Sequence, residues 1–251
     1  MSKAFNDITT MSGRCLRMTF RNSETIVGNT ATPIMLVLLF VYILGSGAFD
    51  MQAYVNAQTP SIIIVVLGIS ASYTAFSVNG DMQKGIIDRF RSMPLFQPSV
   101  LMGHVIASFA RCGVAAITVI GMAFVVGFRP QAGVTEWILT VGIMLMVILT
   151  MTWIFIFIGL IADSPEGTSS YSMLIQFFPF LSGGFADPEQ LVLPLRIFFA
   201  HQPFTSIIEA VRGLTMGAFN GSDITATVIW CVALTLVFYA LSVRVYRRKA
   251  G

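Results

Sequence analysis

Charged residues are scarce in this sequence of 251 residues: they make up 11% of it, whereas hydrophobic residues make up 55%. The mean hydropathy is correspondingly high, at +0.79. A soluble domain of this length needs more polar side chains to cover its surface in water. The composition therefore excludes a soluble protein and predicts an all-α membrane protein built as one membrane domain.

Sequence motifs of common enzymes are also absent. None of the three lysines, Lys3, Lys84 and Lys249, stands in a phosphate-binding loop of the form G-x-x-x-x-G-K-[ST]. The chain has no HExxH, CxxC or G-x-S-x-G sequence, and its two histidines, His104 and His201, are far apart. We therefore expect no catalytic residue, no resident metal and no ATP site on this chain.

Cysteine is rare as well. The three cysteines, Cys15, Cys112 and Cys231, fall in the N-terminal tail and in two different apolar segments, so they predict no disulfide framework. About thirty residues of mixed polarity precede the first apolar run, which argues against a secretory signal.

Long apolar runs are what the sequence does contain. Because a helix needs about 20 residues to cross a bilayer, six spans are predicted, at residues 29–49, 59–79, 100–127, 136–162, 168–186 and 223–243. Eleven of the fifteen Lys and Arg residues lie in the N-terminal tail, in the loop between the second and third spans, or in the C-terminal tail. The positive-inside rule places these segments, and so both termini, in the cytoplasm.

The N-terminal segment, residues 1–28, has the pattern of a cytoplasmic amphipathic helix. Arg14, Arg17 and Arg21 recur at helical spacing and are predicted to lie against lipid phosphates at the membrane surface. An ordinary basic tail with no role beyond topology is the alternative. The membrane domain then occupies residues 29–251 and ends in a cytoplasmic tail, residues 244–251.

A charged island interrupts the apolar sequence between the second and third spans. Residues 80–98 combine charged and apolar side chains in the pattern of a short amphipathic helix that docks on a cytosolic partner. The residues predicted to make this contact are Asp81, Lys84, Ile87, Asp88, Arg89, Phe90 and Arg91.

Polar residues within the third span are a further signal. His104, Ser108 and Arg111 lie at i, i+4 and i+7, on one helical face. A buried arginine near the middle of the membrane costs about 3 kcal/mol and must be paired or hydrated. Two interpretations stay open, a polar network that lines a cavity or gate and a structural tether. The candidate partners of Arg111 are Glu136 and Asp163.

The fifth span combines small and polar residues with aromatic ones. Small side chains allow close contact between membrane helices, and aromatic rings can narrow a passage. The predicted substrate-pathway residues are Tyr171, Gln176, Phe177, Phe178 and Phe180. Ordinary helix packing is the alternative.

The segment between the fifth and sixth spans, residues 187–221, has apolar pieces too short to cross a bilayer, broken by Pro188, Pro194 and Pro203. Such pieces are typical of re-entrant or interfacial helices and are predicted here on the extracellular face. A lid over an exit and a merely structural cap both remain open.

Four sequence segments, taken in order, resemble the type 2 ABC exporter permeases, the ABC-2 type transporter family, and most closely the daunorubicin-resistance group. They are GIIDRFRSMP before the third span, GFRP at 127–130, FLSGGFADPEQL at 180–191 and QPFTSIIEAVRGLTMG at 202–217. The resemblance covers nearly the whole chain. In such chains a charged position marks the outer half, and here Glu209 and Arg212, one helical turn apart, represent it in the extracellular cap.

The resemblance implies the permease subunit of an ATP-driven exporter in the bacterial inner membrane, which moves an amphipathic or hydrophobic, drug- or antibiotic-like substrate out of the cell by alternating access. The implied partners are two copies of a separate cytosolic ATPase subunit, which bind ATP and Mg, a second permease chain, identical or homologous, facing the first and fifth spans, and membrane lipid, but no nucleic acid. The alternatives are an exporter of a polysaccharide or lipid-linked glycan and, less in keeping with the residues, a secondary transporter independent of ATP. The last would carry acidic residues at mid-membrane or inverted repeats.

Overall fold

The computed structural model describes residues 2–85, 98–185 and 192–249, which form nine α-helices and no β-strand. The helices are α1 Ser2–Arg21, α2 Ser23–Leu38, α3 Met51–Gln83, α4 Pro98–Val125, α5 Val134–Ile161, α6 Pro165–Phe177, α7 Leu193–His201, α8 Pro203–Thr215 and α9 Gly221–Arg248. A π-helical turn and a 3₁₀ turn extend α2, and a second 3₁₀ turn follows α6; they are Leu39–Ile43, Leu44–Gly47 and Phe178–Leu181.

Five helical segments are long and apolar enough to cross a membrane. They are Thr25–Gly47, Met51–Gln83, Ser99–Val125, Val134–Ile161 and Gly221–Arg248. These correspond to the first four predicted spans and the sixth. The all-helical class and the multi-span character are therefore confirmed.

The predicted fifth span, residues 168–186, is not among these five segments. Helix α6 has 13 residues, which is about 20 Å of helix against a hydrocarbon core of about 30 Å. Pro179 lies in the 3₁₀ turn that follows, and proline has no amide N–H with which to continue an α-helix. The prediction of six spans is therefore not confirmed at this segment.

The two short helices α7 and α8 occupy most of the segment predicted to contain no span. They have 9 and 13 residues, too few to cross a bilayer at 1.5 Å per residue. Residues 187–191 of this segment lie outside the described residues. A re-entrant position on the outer face remains a prediction.

Side-chain caps define where several helices begin. Asp50 accepts a hydrogen bond from the amide of Ala53 at the start of α3, at 3.0 Å. Ser164 does the same for the amide of Gly167 at the start of α6, also at 3.0 Å. Such caps satisfy amide groups that have no partner within the first helical turn.

Helix α3 lies at the centre of the described chain, where it packs against α4, α5, α6 and α8. Its most apolar window is 78% buried, whereas the corresponding window of α9 is 11% buried. The first span, at 28%, is also largely uncovered. Helices α2 and α9 therefore present apolar faces that only lipid or another protein can cover.

Candidate functional site

The charged island between α3 and α4 is described only at its start. Asp81 is buried in the last turn of α3, and Lys84 is exposed just after it. The remaining predicted contact residues, Ile87, Asp88, Arg89, Phe90 and Arg91, lie outside the described residues. Their role in docking a partner stays a prediction.

Asp81 joins three helices at the base of this island. Arg14 of α1 donates two hydrogen bonds to its carboxylate, at 3.0 and 2.9 Å, and Nε2 of His104 on α4 lies 3.3 Å from Oδ2. This bidentate arrangement is a strong form of charge pairing. The neighbouring carboxylate raises the pKa of Arg14 above its ordinary value. We call Arg14, Asp81 and His104 the charge triad.

The membrane-surface prediction has one outcome for Arg14 and another for Arg17 and Arg21. Arg14 is in the charge triad, on the same side as the buried Met11 and Cys15. Arg17 and Arg21 are exposed. For these two, contact with lipid phosphates stays a prediction.

The predicted polar face of α4 is buried, but its three residues contact different neighbours. His104 meets Asp81, and the hydroxyl of Ser108 lies 2.7 Å from that of Thr152 on α5. Arg111 reaches two further hydroxyls, at 3.1 Å to Thr19 and 2.6 Å to Thr74; these lie on α1 and α3. The face therefore joins α1, α3 and α5 to α4.

Neither candidate partner of Arg111 contacts it. Asp163 is 3.5 Å from Lys249, the residue that follows α9, and the described ion pairs include none between Arg111 and Glu136. The prediction of an acidic partner is wrong for both residues, since hydroxyl groups hold the guanidinium instead.

Asn29 belongs to the same buried region and was not singled out from the sequence. Its amide donates to the carbonyl of Arg111 at 2.8 Å, and Ser70 of α3 donates to its side-chain oxygen at 2.6 Å. A polar residue at the start of an apolar run was the only available signal, and by itself such a residue predicts no particular contact.

The predicted pathway residues lie on α6 and on the turn that follows it. Tyr171, Phe177 and Phe178 are exposed, while Gln176 and Phe180 are half-buried. Rings of the α6 region gather with two others into an aromatic cluster, Phe40, Phe177, Phe180 and Phe185, whose neighbouring centroids are 5.0 to 6.4 Å apart. These distances are within the range of favourable aromatic pairs.

An apolar cavity of about 190 Å³ lies beside this region. Residues of α5, α8 and α9 line it together with Ile175 and Phe178. Phe178 therefore contributes both to the exposed side of the chain and to the cavity wall. The position is open to an apolar ligand, although the volume is small for a whole drug-sized molecule.

Glu209 and Arg212 form an ion pair, as their spacing on α8 suggests, with 2.6 Å between Nη1 and Oε1. Arg212 also donates to the carbonyls of Ala57 and Gly184, at 3.1 and 3.2 Å. Ser61 donates to the same carbonyl of Gly184 at 3.1 Å. Arg212 therefore holds α8 and the turn at residues 182–184 to the first part of α3.

The GFRP segment is a second anchor at the same end of α3. Gly127 has φ +109°, a backbone conformation that side-chain-bearing residues rarely adopt. The amide of Arg129 donates to the side chain of Asn56 at 2.9 Å, and that of Gln131 to the carbonyl of Thr215 at 3.0 Å. The GFRP segment and α8 are therefore both held to the first part of α3, and the residue just after GFRP also contacts the end of α8.

The described residues contain no group of three or more His, Cys, Asp or Glu side chains that could hold a metal ion. A helical chain with five apolar segments of spanning length is a multi-pass membrane protein. The family model of the ABC-2 type transporters matches residues 6–216, and the chain belongs to that family of transmembrane permeases.

Two relatives show where in the family the similarity is found. The chain is 30% identical, over 223 residues, to the daunorubicin resistance ABC transporter permease protein DrrB1 of Streptomyces coeruleorubidus, covering 86% of this chain and 77% of the relative. It is 20% identical, over 241 residues, to the probable doxorubicin resistance ABC transporter permease protein DrrC of Mycobacterium tuberculosis, covering 95% and 87%. The resemblance read from the four sequence segments is confirmed.

Proposed function

We propose that this chain is the permease subunit of an ATP-driven exporter, which moves an amphipathic or hydrophobic, drug- or antibiotic-like molecule out of the cell. The observation that carries the proposal is the alignment of 86% and 95% of the chain with two permeases whose names record resistance to daunorubicin and doxorubicin. The three lysines lie outside any phosphate-binding loop, so the proposal assigns ATP and Mg to a separate ATPase subunit.

The proposed topology has six spans, with both termini in the cytoplasm of a bacterial inner membrane. Helix α6 and the Phe178–Leu181 turn together supply the fifth span, and α7 and α8 form a re-entrant cap outside. The clustering of basic residues in three loops and tails supports this orientation. The hydrogen bond from Arg212 of α8 to the carbonyl of Ala57 on α3 supports a cap that moves with the helices.

Cysteine labelling tests this topology. In a chain with Cys15, Cys112 and Cys231 replaced by Ala, single cysteines at the exposed Leu193 and Phe219 are expected to react with a membrane-impermeant maleimide in intact cells. A cysteine at Lys84, also exposed, is the matched control and should react only after permeabilisation. Reaction of Leu193 and Phe219 from opposite sides would contradict the re-entrant cap.

Coupling to ATP hydrolysis is proposed to run through residues 80–98, docked on the ATPase. The charge triad supports this route because it ties the end of α3, immediately before that segment, to α1 and α4. Nucleotide binding can shift the permease from inward-open to outward-open only if the ATPase dimer binds ATP better in one state. Because the charge triad connects α1, α3 and α4, a movement of the docked segment would displace these three helices together.

The pathway is proposed to lie between two permease chains, identical or homologous. The exposed apolar sides of α2 and α6 support this arrangement, since an isolated chain would leave Tyr171, Phe177 and Phe178 against lipid. The aromatic cluster joins the turns that follow these two helices, through the contact between Phe40 and Phe180.

Transport by reconstituted vesicles tests the function. With the partner ATPase and ATP, inside-out vesicles are expected to accumulate daunorubicin, measured by its fluorescence, and to stop when ATP is replaced by a non-hydrolysable analogue. Phe90→Asp is expected to abolish ATP-dependent accumulation while the chain still inserts, because a charge replaces the apolar contact of the docking segment. Accumulation driven by a proton gradient without ATP would reject the proposal in favour of a secondary transporter.

A further inference from the structure

The charge of Arg111 is not compensated by any described carboxylate. The residue is buried, at 3% exposure. Two of its nitrogens donate to threonine hydroxyls, and Nε has no hydrogen-bond partner among the residues that the structure describes. An arginine in low-dielectric surroundings is stable only when an anion or several acceptors face it.

An open cleft of about 480 Å³ lies against this arginine. It is bounded by the bend between α1 and α2 and by the side of α3, and Arg111 and Thr19 form part of its wall. Tyr73 and Ser77 add hydroxyl groups, while Met18 and Phe76 supply apolar surface. The volume is within the range of about 300–1,000 Å³ found for small-molecule sites.

The contacts of Arg111 connect it to the helix that is predicted to lie at the membrane surface. Its Nη1 donates to Thr19 of α1 at 3.1 Å, and the cleft opens at the bend where α1 meets α2. An amphipathic helix such as α1 lies at the level of the lipid headgroups, where phosphate groups are available.

We propose that this cleft binds the phosphate of an anionic membrane lipid, with Arg111 as the compensating cation. The hydroxyls of Thr19, Tyr73 and Ser77 supply further donors, and the acyl chains leave over Met18 and Phe76. Phosphate is recognised because guanidinium groups bind its oxygens through charge-assisted hydrogen bonds. The bound lipid holds the α1–α2 bend against α3 and α4, and the site is independent of what the exporter transports.

Lipid titration of the purified full-length chain tests the site. In a neutral detergent, phosphatidylglycerol is expected to raise the thermal unfolding midpoint in a saturable way, whereas glycerol 1-phosphate, the headgroup without chains, gives no such shift at the same concentrations. Arg111→Gln is expected to weaken the apparent affinity about 10- to 100-fold, the equivalent of losing one charged hydrogen-bonding group. Arg247→Gln removes the same charge from an exposed position on α9 and should leave the affinity within about threefold.

A second variant keeps the proposal testable if Arg111→Gln does not fold. Ser77→Trp leaves the arginine in place but fills the cleft, and it should also abolish the response to phosphatidylglycerol. An unchanged response in either variant would overturn the proposal, and equal responses to glycerol 1-phosphate and the lipid would replace the lipid by a soluble phosphate. A wild-type unfolding midpoint that does not respond to phosphatidylglycerol would also overturn the proposal.

Discussion

Replacing Asp81 by Asn is expected to lower the free energy of unfolding by about 3 kcal/mol, at the low end of the range for breaking a buried ion pair by removing one partner. The Asp81 side chain is 3% exposed and that of Arg14 is 26% exposed, which favours the low end. Asparagine keeps the size of the side chain, but it cannot offer two charged acceptors to the guanidinium. Denaturant titration of the purified chain in detergent measures the difference.

The control is a second aspartate whose ion pair lies in solvent. Asp163 is 95% exposed, and its 3.5 Å contact is with Lys249, which is 39% exposed. Asp163→Asn should change the free energy of unfolding by less than about 0.5 kcal/mol, because exposed ion pairs contribute little. A double-mutant cycle with Arg14→Gln should give a coupling energy of about 1 kcal/mol or more for Asp81. Equal losses in the two aspartate variants would mean that the charge triad carries no special stability.

The spans are the part of the fold that the sequence predicts best, since hydropathy reports directly on the cost of placing residues in lipid. The predicted fourth span, residues 136–162, corresponds to Val134–Ile161. The second, residues 59–79, underestimates Met51–Gln83, because the cap at Asp50 sets where the helix begins and the apolar residues do not. Hydropathy also predicts one continuous span at residues 168–186, although the α-helix ends at Phe177 and Pro179 lies in the turn that follows.

Contacts between helices could not be predicted in the same way. They depend on the rotation of each helix about its axis, which an apolar run leaves open. Glu136 and Asp163 were predicted as partners of Arg111 because they are acidic. Thr19 and Thr74 carry no charge, yet they are the residues whose hydroxyls accept hydrogen bonds from the guanidinium. Hydroxyl-bearing residues are so common in membrane helices that one sequence does not indicate which of them contact a buried arginine.

The charge triad illustrates a second limit. Sequence spacing grouped Arg14 with the membrane-surface arginines and Asp81 with the docking segment, each by the helix on which it lies. The structure joins them across 67 positions of the chain. A pattern along one helix cannot reveal a pair of this kind, because the energy belongs to the contact between two helices and appears only after they pack.

Gly159→Ala is expected to lower the free energy of unfolding by about 2 kcal/mol, within the range for overpacking a filled interior. A Cβ atom at Gly159 of α5 would lie 2.5 Å from the carbonyl oxygen of Ala75 and 2.9 Å from Cβ of Val78, both on α3. The first of these is a backbone atom, so no side chain can turn away, and the two central helices must separate. Small residues at such contacts are what allow membrane helices to approach closely. Denaturant titration in detergent measures the loss.

Gly142→Ala on the same helix is the matched control, because nothing lies within 4 Å of a Cβ at that exposed position. Alanine is the better helix former by about 1 kcal/mol in soluble helices, so this variant should be as stable as the wild type or more so. Changes of opposite sign in the free energy of unfolding at these two glycines of α5 would distinguish the effect of close packing from that of helix propensity. If Gly159→Ala proved as stable as Gly142→Ala, α3 and α5 would be able to move apart at their contact without a loss of stability. These two central helices would then not be the rigid part of the fold that supports the charge triad and the cap.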